Sequence, residues 1–238
     1  MQHYSQQYSE DTLRRAADRG RVSMGWLDSR HSFSFGHYFD PQHMGLSALR
    51  VINDDRVKGG AGFSPHSHQN MEIISYVLEG AIEHQDSLGN QFVVPAGDVQ
   101  RMSAGSGITH SEYNHSADEE LRFLQIWIIP NKLGGEPSYE QKTINQTEAF
   151  TPLVTSDGRD GSLSMQQDAN LYRLIMQQGD NEQINLSQRK GYLHVIKGEL
   201  EVLGKQLKVG DAFAFVSPQN IEINASQNSE ELWFDLPS

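Results

Sequence analysis

Two short segments of the sequence carry side chains that bind metal ions. They are His66-Ser67-His68 and His110-Ser111-Glu112, and each has two possible metal-ligand side chains, at positions i and i+2. Residues two apart in a β-strand point to the same face, so facing strands would gather three imidazoles and one carboxylate. Such a set suits Fe, Mn, Co, Ni, Cu or Zn and leaves coordination positions open. We therefore expect a metal site, and an enzyme is the leading hypothesis.

The composition narrows the classes of function. The 238 residues include 19 Lys+Arg and 31 Asp+Glu, a net charge of −12, which disfavours direct binding of nucleic acid. The absence of cysteine excludes disulfides, thiolate metal sites and cysteine nucleophiles. Residues 1–20 lack the apolar core of a secretory signal, and no apolar run approaches the length of a membrane span. We predict a cytoplasmic protein with no membrane partner.

Short apolar segments recur between turn residues, which predicts an all-β fold with many short strands. The segments are residues 48–53, 71–78, 91–94, 121–129, 171–176, 192–196, 212–216 and 231–236. Residues 10–19 are predicted to form a helix with Ser9 as its N-cap. Residues 86–90 are predicted to form a hairpin tip, because Gly89 and Asn90 accept the positive φ of a tight turn.

The second half of the chain repeats the first in outline. Residues 76–83 and 194–201 share two aliphatics, a charge and a glycine before a further strand, and a Gly-Asp turn follows in both halves. Residues 130–137 are rich in Pro and Gly, which end strands. We therefore predict two β-barrels in tandem, over residues 1–135 and 136–238.

The metal ligands are not repeated with the barrel. Alignment on the paired glycines brings His66 and His68 near Ile184 and Leu186, and neither of these side chains binds a metal. No histidine follows the second Gly-Asp turn. We expect the N-terminal barrel to carry the metal site and the C-terminal barrel to lack metal ligands.

The surroundings of the first segment fit a known metal-binding motif. Residues 60–72 followed by Gly80 fit the first cupin motif, Gly-x5-His-x-His-x3,4-Glu then Gly, with the last glycine displaced by one residue. Gly89 and residues 95–97 fit the start of the second cupin motif, Gly-x5-Pro-x-Gly-x2-His. His110 departs from that motif, because residues 103–109 are inserted before it.

The inserted segment itself resembles one family. The run Met-Ser-Ala-Gly-Ser-Gly-Ile-Thr-His-Ser-Glu at residues 102–112 is similar to the pirin family of bicupins, as are residues 25–29 and 31–35. The likeness extends over nearly the whole chain. Within that family, the chain resembles most the bacterial branch with quercetin 2,3-dioxygenase activity.

The resemblance implies a ferrous or other divalent ion held by His66, His68, His110 and Glu112. Fe(II) is the favoured metal, with Mn, Co, Ni, Cu and Zn as alternatives. The implied reaction cleaves a flavonol such as quercetin with O2, and Glu112 would be the catalytic residue that accepts the substrate's hydroxyl proton. The alternative is a metal-containing, redox-sensing regulatory protein that acts through protein partners.

Further residues are candidates for the surroundings of this site. The general cupin motif would make Glu72 a ligand, but we assign that role to Glu112 and expect Glu72 behind the ligands or on a strand surface. Candidates for an apolar pocket, with a core role as the alternative, are Phe33, Phe35, Phe63 and Met102. His31 and His37 are candidates for substrate contact at the barrel mouth. We expect His84 to be a hydrogen-bonded structural residue.

Overall fold

The structure, a computed structural model, describes residues 8–238 and consists almost entirely of β-strands. Its strands form two barrels in tandem, each built from a seven-stranded and a four-stranded sheet. The predicted all-β bicupin fold is confirmed. Across residues 8–238, no helix is both long and apolar enough to cross a membrane.

The sheets of the first barrel contain strands β2 to β12. Their bounds are β2 Gly20–Ser23, β3 Leu27–His31, β4 Leu49–Val57, β5 Gly62–His68, β6 Glu72–Glu79, β7 Ala81–Asp86, β8 Gln91–Pro95, β9 Asp98–Ser103, β10 Ile108–Asn114, β11 Leu121–Ile128 and β12 Ser138–Thr143. Their orders are β12-β9-β6-β11-β4-β3-β2 and β5-β10-β7-β8.

The second barrel contains β1 and β13 to β22. Their bounds are β1 Thr12–Arg14, β13 Phe150–Thr155, β14 Leu163–Ser164, β15 Asn170–Met176, β16 Asn181–Asn185, β17 Lys190–Lys197, β18 Glu199–Val202, β19 Lys205–Lys208, β20 Ala212–Phe215, β21 Asn220–Ala225 and β22 Ser229–Leu236. Their orders are β1-β20-β17-β22-β15-β13-β14 and β16-β21-β18-β19. Two 3-10 helices, Ala16–Asp18 and Arg159–Gly161, complete the described elements.

The strand orders support the predicted duplication. Strands β4 to β11 recur as β15 to β22 with the same neighbours in both sheets. Gly80 follows β6 with φ 77°, and Gly198 follows β17 with φ 78°. A glycine serves at both places because the chain reverses there with a backbone conformation that other residues rarely adopt.

The two barrels pack through their seven-stranded sheets. The shared core contains Ile74 and Ile126 from the first barrel and Leu232 and Phe234 from the second. Because successive strand residues point to opposite faces, the alternate residues of these strands face their own barrel interior. Burial of both faces explains the nearly continuous apolar sequence of β11.

Two strands pair with the barrel on the other side of the predicted division at residue 135. Strand β12 pairs with β9 of the first barrel, and β1 pairs with β20 of the second. Each strand covers an edge of a large sheet whose backbone groups would otherwise lack partners. Residues 138–143 therefore belong to the first barrel's sheet, and residues 12–14 belong to the second barrel's.

The predicted helix over residues 10–19 is wrong, whereas the predicted hairpin is confirmed. Residues 10–19 form β1 and a single 3-10 turn, because Leu13 packs on the second barrel's core instead of contributing to a helical apolar stripe. At the hairpin, β7 ends at Asp86, and its Oδ1 accepts hydrogen bonds from the backbone N–H groups of Leu88 and Asn90. Gly89 takes φ 90°, as the tight turn requires.

Candidate metal centre

The small sheet of the first barrel places both ligand segments on neighbouring strands. Strands β5 and β10 pair antiparallel with His110 directly opposite His66. A bulge shifts the register between His110 and Glu112, so Glu112 lies opposite Phe63 on β5. On its other side β10 pairs with β7, where Glu112 faces His84.

Three imidazoles meet at the centre of this sheet. The ring centroids are 4.6 Å apart for His66 and His110, 4.8 Å for His66 and His68, and 5.0 Å for His68 and His110. One ring nitrogen of each lies within 4.8 Å of those of the other two. The structure therefore brings the three predicted histidine ligands together.

The hydrogen bonding of these rings fits a bound cation. Both ring nitrogens of His110 are buried without a hydrogen-bond partner, an arrangement that is costly unless a ligand supplies the interaction. His66 Nδ1 lies 2.8 Å from the Ser64 carbonyl oxygen, and donation there leaves Nε2 as the free ligand atom. Metal-ligating histidines ordinarily use their second nitrogen in this way.

Burial also keeps two of the rings neutral. Burial, with a smaller effect of the neighbouring imidazoles, lowers the pKa of His68 to about 4 and that of His110 to about 3. At neutral pH each ring therefore carries the lone pair that a metal ligand needs.

Glu112 lies at the edge of the three-imidazole cluster. Its carboxylate groups with His84 and His110, all within 4.8 Å of one another. The carboxylate accepts hydrogen bonds from Ser75 Oγ at 3.1 Å, Gln100 Nε2 at 2.8 Å and Gln125 Nε2 at 2.7 Å. The structure thus places one buried, firmly held carboxylate beside His110, in a group that does not include His66 and His68.

The three donors to Glu112 form a polar layer inside the barrel. Gln100 and Gln125 both lie opposite Ser75 on neighbouring strands. The layer separates two apolar clusters, one around Ile73 and Met102 and one around Val77 and Phe123. The sequence reasoning missed these donors. Ser75 and Gln125, each a polar residue flanked by apolar ones in a buried strand, gave a local signal, whereas Gln100 lies among other polar residues of β9.

His84 is closer to the site than the sequence prediction placed it. Its ring lies 5.5 Å from that of His110 and stacks on Tyr139 at 4.5 Å. His84 Nε2 is 3.0 Å from Asp86 Oδ2, as expected of a hydrogen-bonded structural residue. Its Nδ1 is buried without a partner, and the ring therefore borders the cluster.

A cavity of about 410 Å³ opens beside the cluster. His66 and His68 lie on its wall, as do the predicted pocket residues Phe35 and Phe63. His31 and His37, the candidates for substrate contact, also line it. Cavities of this size, with mostly apolar walls and a few polar groups, bind small organic molecules.

Three other candidates lie away from this cavity. Phe33 belongs to the core between the barrels and Met102 to an apolar cluster in the first barrel, so both take the alternative core role. Glu72 is buried and accepts a hydrogen bond from Ser103 Oγ at 2.7 Å, and burial raises its pKa. Glu72 belongs to neither group of candidate metal ligands within residues 8–238.

Fold and site together define a bicupin metal protein, and comparison with known families agrees. The model of the family described as pirin matches residues 12–128, and that of the quercetinase C-terminal cupin domain matches residues 153–236. The chain belongs to the pirin family.

Similar proteins are known in several bacteria. The chain is 48% identical over 227 residues to the quercetin 2,3-dioxygenase of Escherichia coli K12, covering 94% of this chain and 98% of the relative. It is 43% identical to a putative quercetin 2,3-dioxygenase of Pseudomonas aeruginosa, with the same shares covered. These relatives confirm the prediction of an enzyme that resembles quercetin 2,3-dioxygenases.

A solved relative carries a metal. The crystal structure of the bacterial pirin YhhW from Escherichia coli in complex with nickel(II) matches with a TM-score of 0.92 and 46% identity, covering 95% of this chain and 99% of that one. A second crystal structure of YhhW matches with a TM-score of 0.93 at the same identity, covering 95% and 97%. Together with the imidazole cluster, the nickel complex supports a divalent-metal centre in this chain.

Proposed function

We propose that this chain is a metal-dependent dioxygenase that cleaves a flavonol such as quercetin with O2. The observation that carries the proposal is the meeting of three imidazoles, two of them held neutral by burial, at the wall of a cavity of about 410 Å³. The relatives named quercetin 2,3-dioxygenase support the same reaction class.

The cavity suits a flat aromatic substrate. Four aromatic side chains line it: Trp26, Phe35, Phe63 and Trp127. Trp26 meets Phe63 edge to face at 5.2 Å, and Phe35 meets Trp127 in the same manner at 5.2 Å. Such walls exclude water from a bound ring system and orient it toward the imidazoles.

The proposed ligands are His66, His68, His110 and Glu112, and we propose Fe(II) as the ion, with Mn, Co, Ni, Cu and Zn as alternatives. When bound, such an ion lowers the pKa of a hydroxyl placed against it and supplies the redox chemistry with O2. The ring cleavage would incorporate both atoms of O2 and release one carbon atom as carbon monoxide.

We assign the transfer of the substrate's proton to Glu112. Its carboxylate is acceptor-only when ionised, and it would take the proton of the flavonol's 3-hydroxyl. The bonds from Ser75, Gln100 and Gln125 hold its oxygens in one orientation, so the acceptor is preorganised. His66 is oriented by its bond to the Ser64 carbonyl.

The test combines metal content with turnover. We expect His66→Ala and Glu112→Ala to lower bound metal and to abolish loss of quercetin absorbance and O2 uptake, whereas the exposed His115→Ala should match the wild type. Unchanged turnover in the first two variants would reject the mechanism. Bound metal without turnover in the wild type would favour the redox-sensing regulatory alternative. The cytoplasmic location and the absence of nucleic-acid partners stay predictions.

A further inference from the structure

The polar layer that holds Glu112 continues across the large sheet beyond Gln125. Cross-strand register places Asn53 opposite Gln125, and His31 opposite Asn53. These side chains form a single row over strands β11, β4 and β3. Gln125 bonds Glu112, so one end of the row supports the metal centre.

Within the described protein, the far end of the row is only partly satisfied: against the larger effect of burial, the neighbouring Ser29 hydroxyl lowers the pKa of Asp55, and the backbone of Phe35 raises the pKa of His31. Four buried atoms make no hydrogen bond there: Ser29 Oγ, His31 Nδ1, Asn53 Oδ1 and Asp55 Oδ1. Ser29 lies opposite Asp55 just as His31 lies opposite Asn53, so the four form a compact block on β3 and β4. The exposed fractions of these residues are only 1%, 4%, 2% and 2%, respectively.

All four side chains face the same cavity as the metal centre. They line it together with His66 and His68. Buried polar atoms left unpaired cost free energy, and several of them aimed at one cavity indicate a ligand that pairs with them.

The chemistry of the block favours hydrogen-bond donors on that ligand. Asn53 Oδ1 accepts only, and Asp55 keeps an acceptor oxygen in either protonation state, which matters because burial raises its pKa to about 7. Burial lowers the pKa of His31 to about 4, so its neutral ring also carries an acceptor nitrogen. A hydroxyl group satisfies such acceptors well.

An aromatic wall connects the block to the metal centre. The His68 ring meets Trp127 at 4.9 Å, Trp127 meets Phe35 at 5.2 Å, and Phe35 meets His31 at 5.5 Å, each edge to face. A flat ring system lying along this wall would reach the imidazoles at one end and the four polar atoms at the other.

We propose that Ser29, His31, Asn53 and Asp55 form a recognition subsite for substrate hydroxyl groups remote from the atoms bound at the metal centre. The proposal rests on the proposed function, because it takes the occupant of the cavity to be a flavonol. The subsite makes the enzyme select rings that carry such hydroxyls over the same ring system without them.

The test compares two flavonols that share the 3-hydroxyl and carbonyl. Quercetin carries further ring hydroxyls, and 3-hydroxyflavone carries none. Dissociation constants are measured by anaerobic titration of the metal-loaded protein, and kcat/KM is measured in air. We expect the wild type to bind quercetin about tenfold or more tightly than 3-hydroxyflavone.

The variants Asp55→Leu and Asn53→Leu should weaken quercetin binding about tenfold while leaving 3-hydroxyflavone unchanged. Asp55→Asn, which keeps an acceptor oxygen, should retain most of the preference. Each variant must keep the metal content of the wild type, and Asn224→Leu on β21 of the second barrel is the matched control.

Two results overturn the inference, and they are distinguishable. If both leucine variants change the affinities for the two flavonols equally, or change neither, the subsite does not read hydroxyl groups although the proposed function stands. If the metal-loaded wild type neither binds nor cleaves either flavonol, the proposed function fails and the subsite fails with it.

Discussion

Gln125 of the first barrel and Trp233 of the second occupy equivalent positions. Gln125 lies opposite Ser75, and Trp233 lies opposite Leu193, each partner standing the same number of residues before the glycine that ends its strand. The first pair donates hydrogen bonds to Glu112, whereas the second pair packs in an apolar core. At this position, one fold therefore has a polar pair in the first barrel and an apolar pair in the second.

The second barrel also has apolar residues at the positions where the first barrel has its histidine ligands. The second barrel places Ile184 opposite Ile221, where the first places His66 opposite His110. Leu186, which the alignment of the glycines places at the position of His68, is buried in the second core. Within the described residues, the second barrel's interior thus offers packing where the first offers coordination.

We predict that Gln125→Leu lowers metal affinity by roughly 10–100-fold, because groups that orient a ligand contribute about that much. The change removes the 2.7 Å donor to Glu112 Oε2 and leaves that oxygen buried and unpaired. Competition with a chromophoric chelator measures the affinity. Gln85→Leu, at an exposed position on β7, is the control, and equal affinities for both variants would contradict a role of Gln125 in holding Glu112.

Phe33 and Phe35 should respond in opposite ways to truncation. Phe33 is buried between the barrels, 5.4 Å from the Tyr192 ring, so Phe33→Ala should lower the free energy of unfolding by about 3–5 kcal/mol. Its KM for quercetin should stay at the wild-type value. Phe35 lines the cavity, and Phe35→Ala should raise KM with a smaller loss of stability. Denaturant unfolding measures the stability of each variant, and steady-state kinetics measure its KM. A raised KM for Phe33→Ala would contradict the core role and indicate that Phe33 contacts the substrate.

The histidine ligands were predictable because the signal is local. His66 and His68 are two residues apart in one strand, and the motif before His110 is contiguous in sequence. Strand periodicity then puts the side chains of each segment on one face. The structure adds the register that brings His66 and His110 opposite each other.

The donors to Glu112 and the polar block on β3 and β4 were not predictable in the same way. Ser75, Gln100 and Gln125 are far apart in sequence and meet only through the pairing of β6, β9 and β11. A shift of one residue in any pairing would turn these side chains to the other face. Sequence periodicity marks the strands without specifying their register, so these contacts needed the structure.

We predict that the buried His194 makes the free energy of unfolding fall at low pH. Burial is the main cause that lowers its pKa to about 3. The charges of Arg19 and Arg122 contribute to this lowering, and Asp54 and Asp211 partly offset it. The unfolded chain takes up a proton below about pH 6.5, whereas the folded ring stays neutral until about pH 3. This contribution to stability is therefore present above pH 6.5 and is lost as the pH falls toward 3.

We expect the metal-free wild type to lose about 2 kcal/mol from this residue between pH 7 and pH 5. His194→Gln cannot titrate, so it should lose that much less than the wild type over the same range. Denaturant unfolding at the two pH values measures the difference. The control His115→Gln, at the surface, should lose as much stability as the wild type. If His194→Gln also lost as much as the wild type, the prediction that His194 takes up a proton on unfolding would be wrong.

We predict that Glu231, in the second barrel, makes the free energy of unfolding fall as the pH rises. It is 0% exposed, its two carboxyl oxygens have no hydrogen-bond partner, and it lies opposite Leu174 and Val195. Burial and, to a smaller extent, the charge of Glu230 raise its pKa to about 8, and the nearby Ser229 hydroxyl partly offsets them. The unfolded carboxyl loses its proton above about pH 4.5 while the folded one keeps it. The contribution of Glu231 is therefore fully present below pH 4.5 and is lost as the pH rises through 8.

Glu231→Gln keeps the shape of the side chain and removes the titration. Between pH 5 and pH 8, the free energy of unfolding of the variant should gain roughly 3 kcal/mol relative to the wild type. Urea unfolding across this range measures the change, with the exposed Glu222→Gln on β21 as the matched control. Parallel stability curves for Glu231→Gln and the wild type would show that the barrel holds Glu231 ionised, since only a proton kept by the folded carboxyl makes the curves diverge.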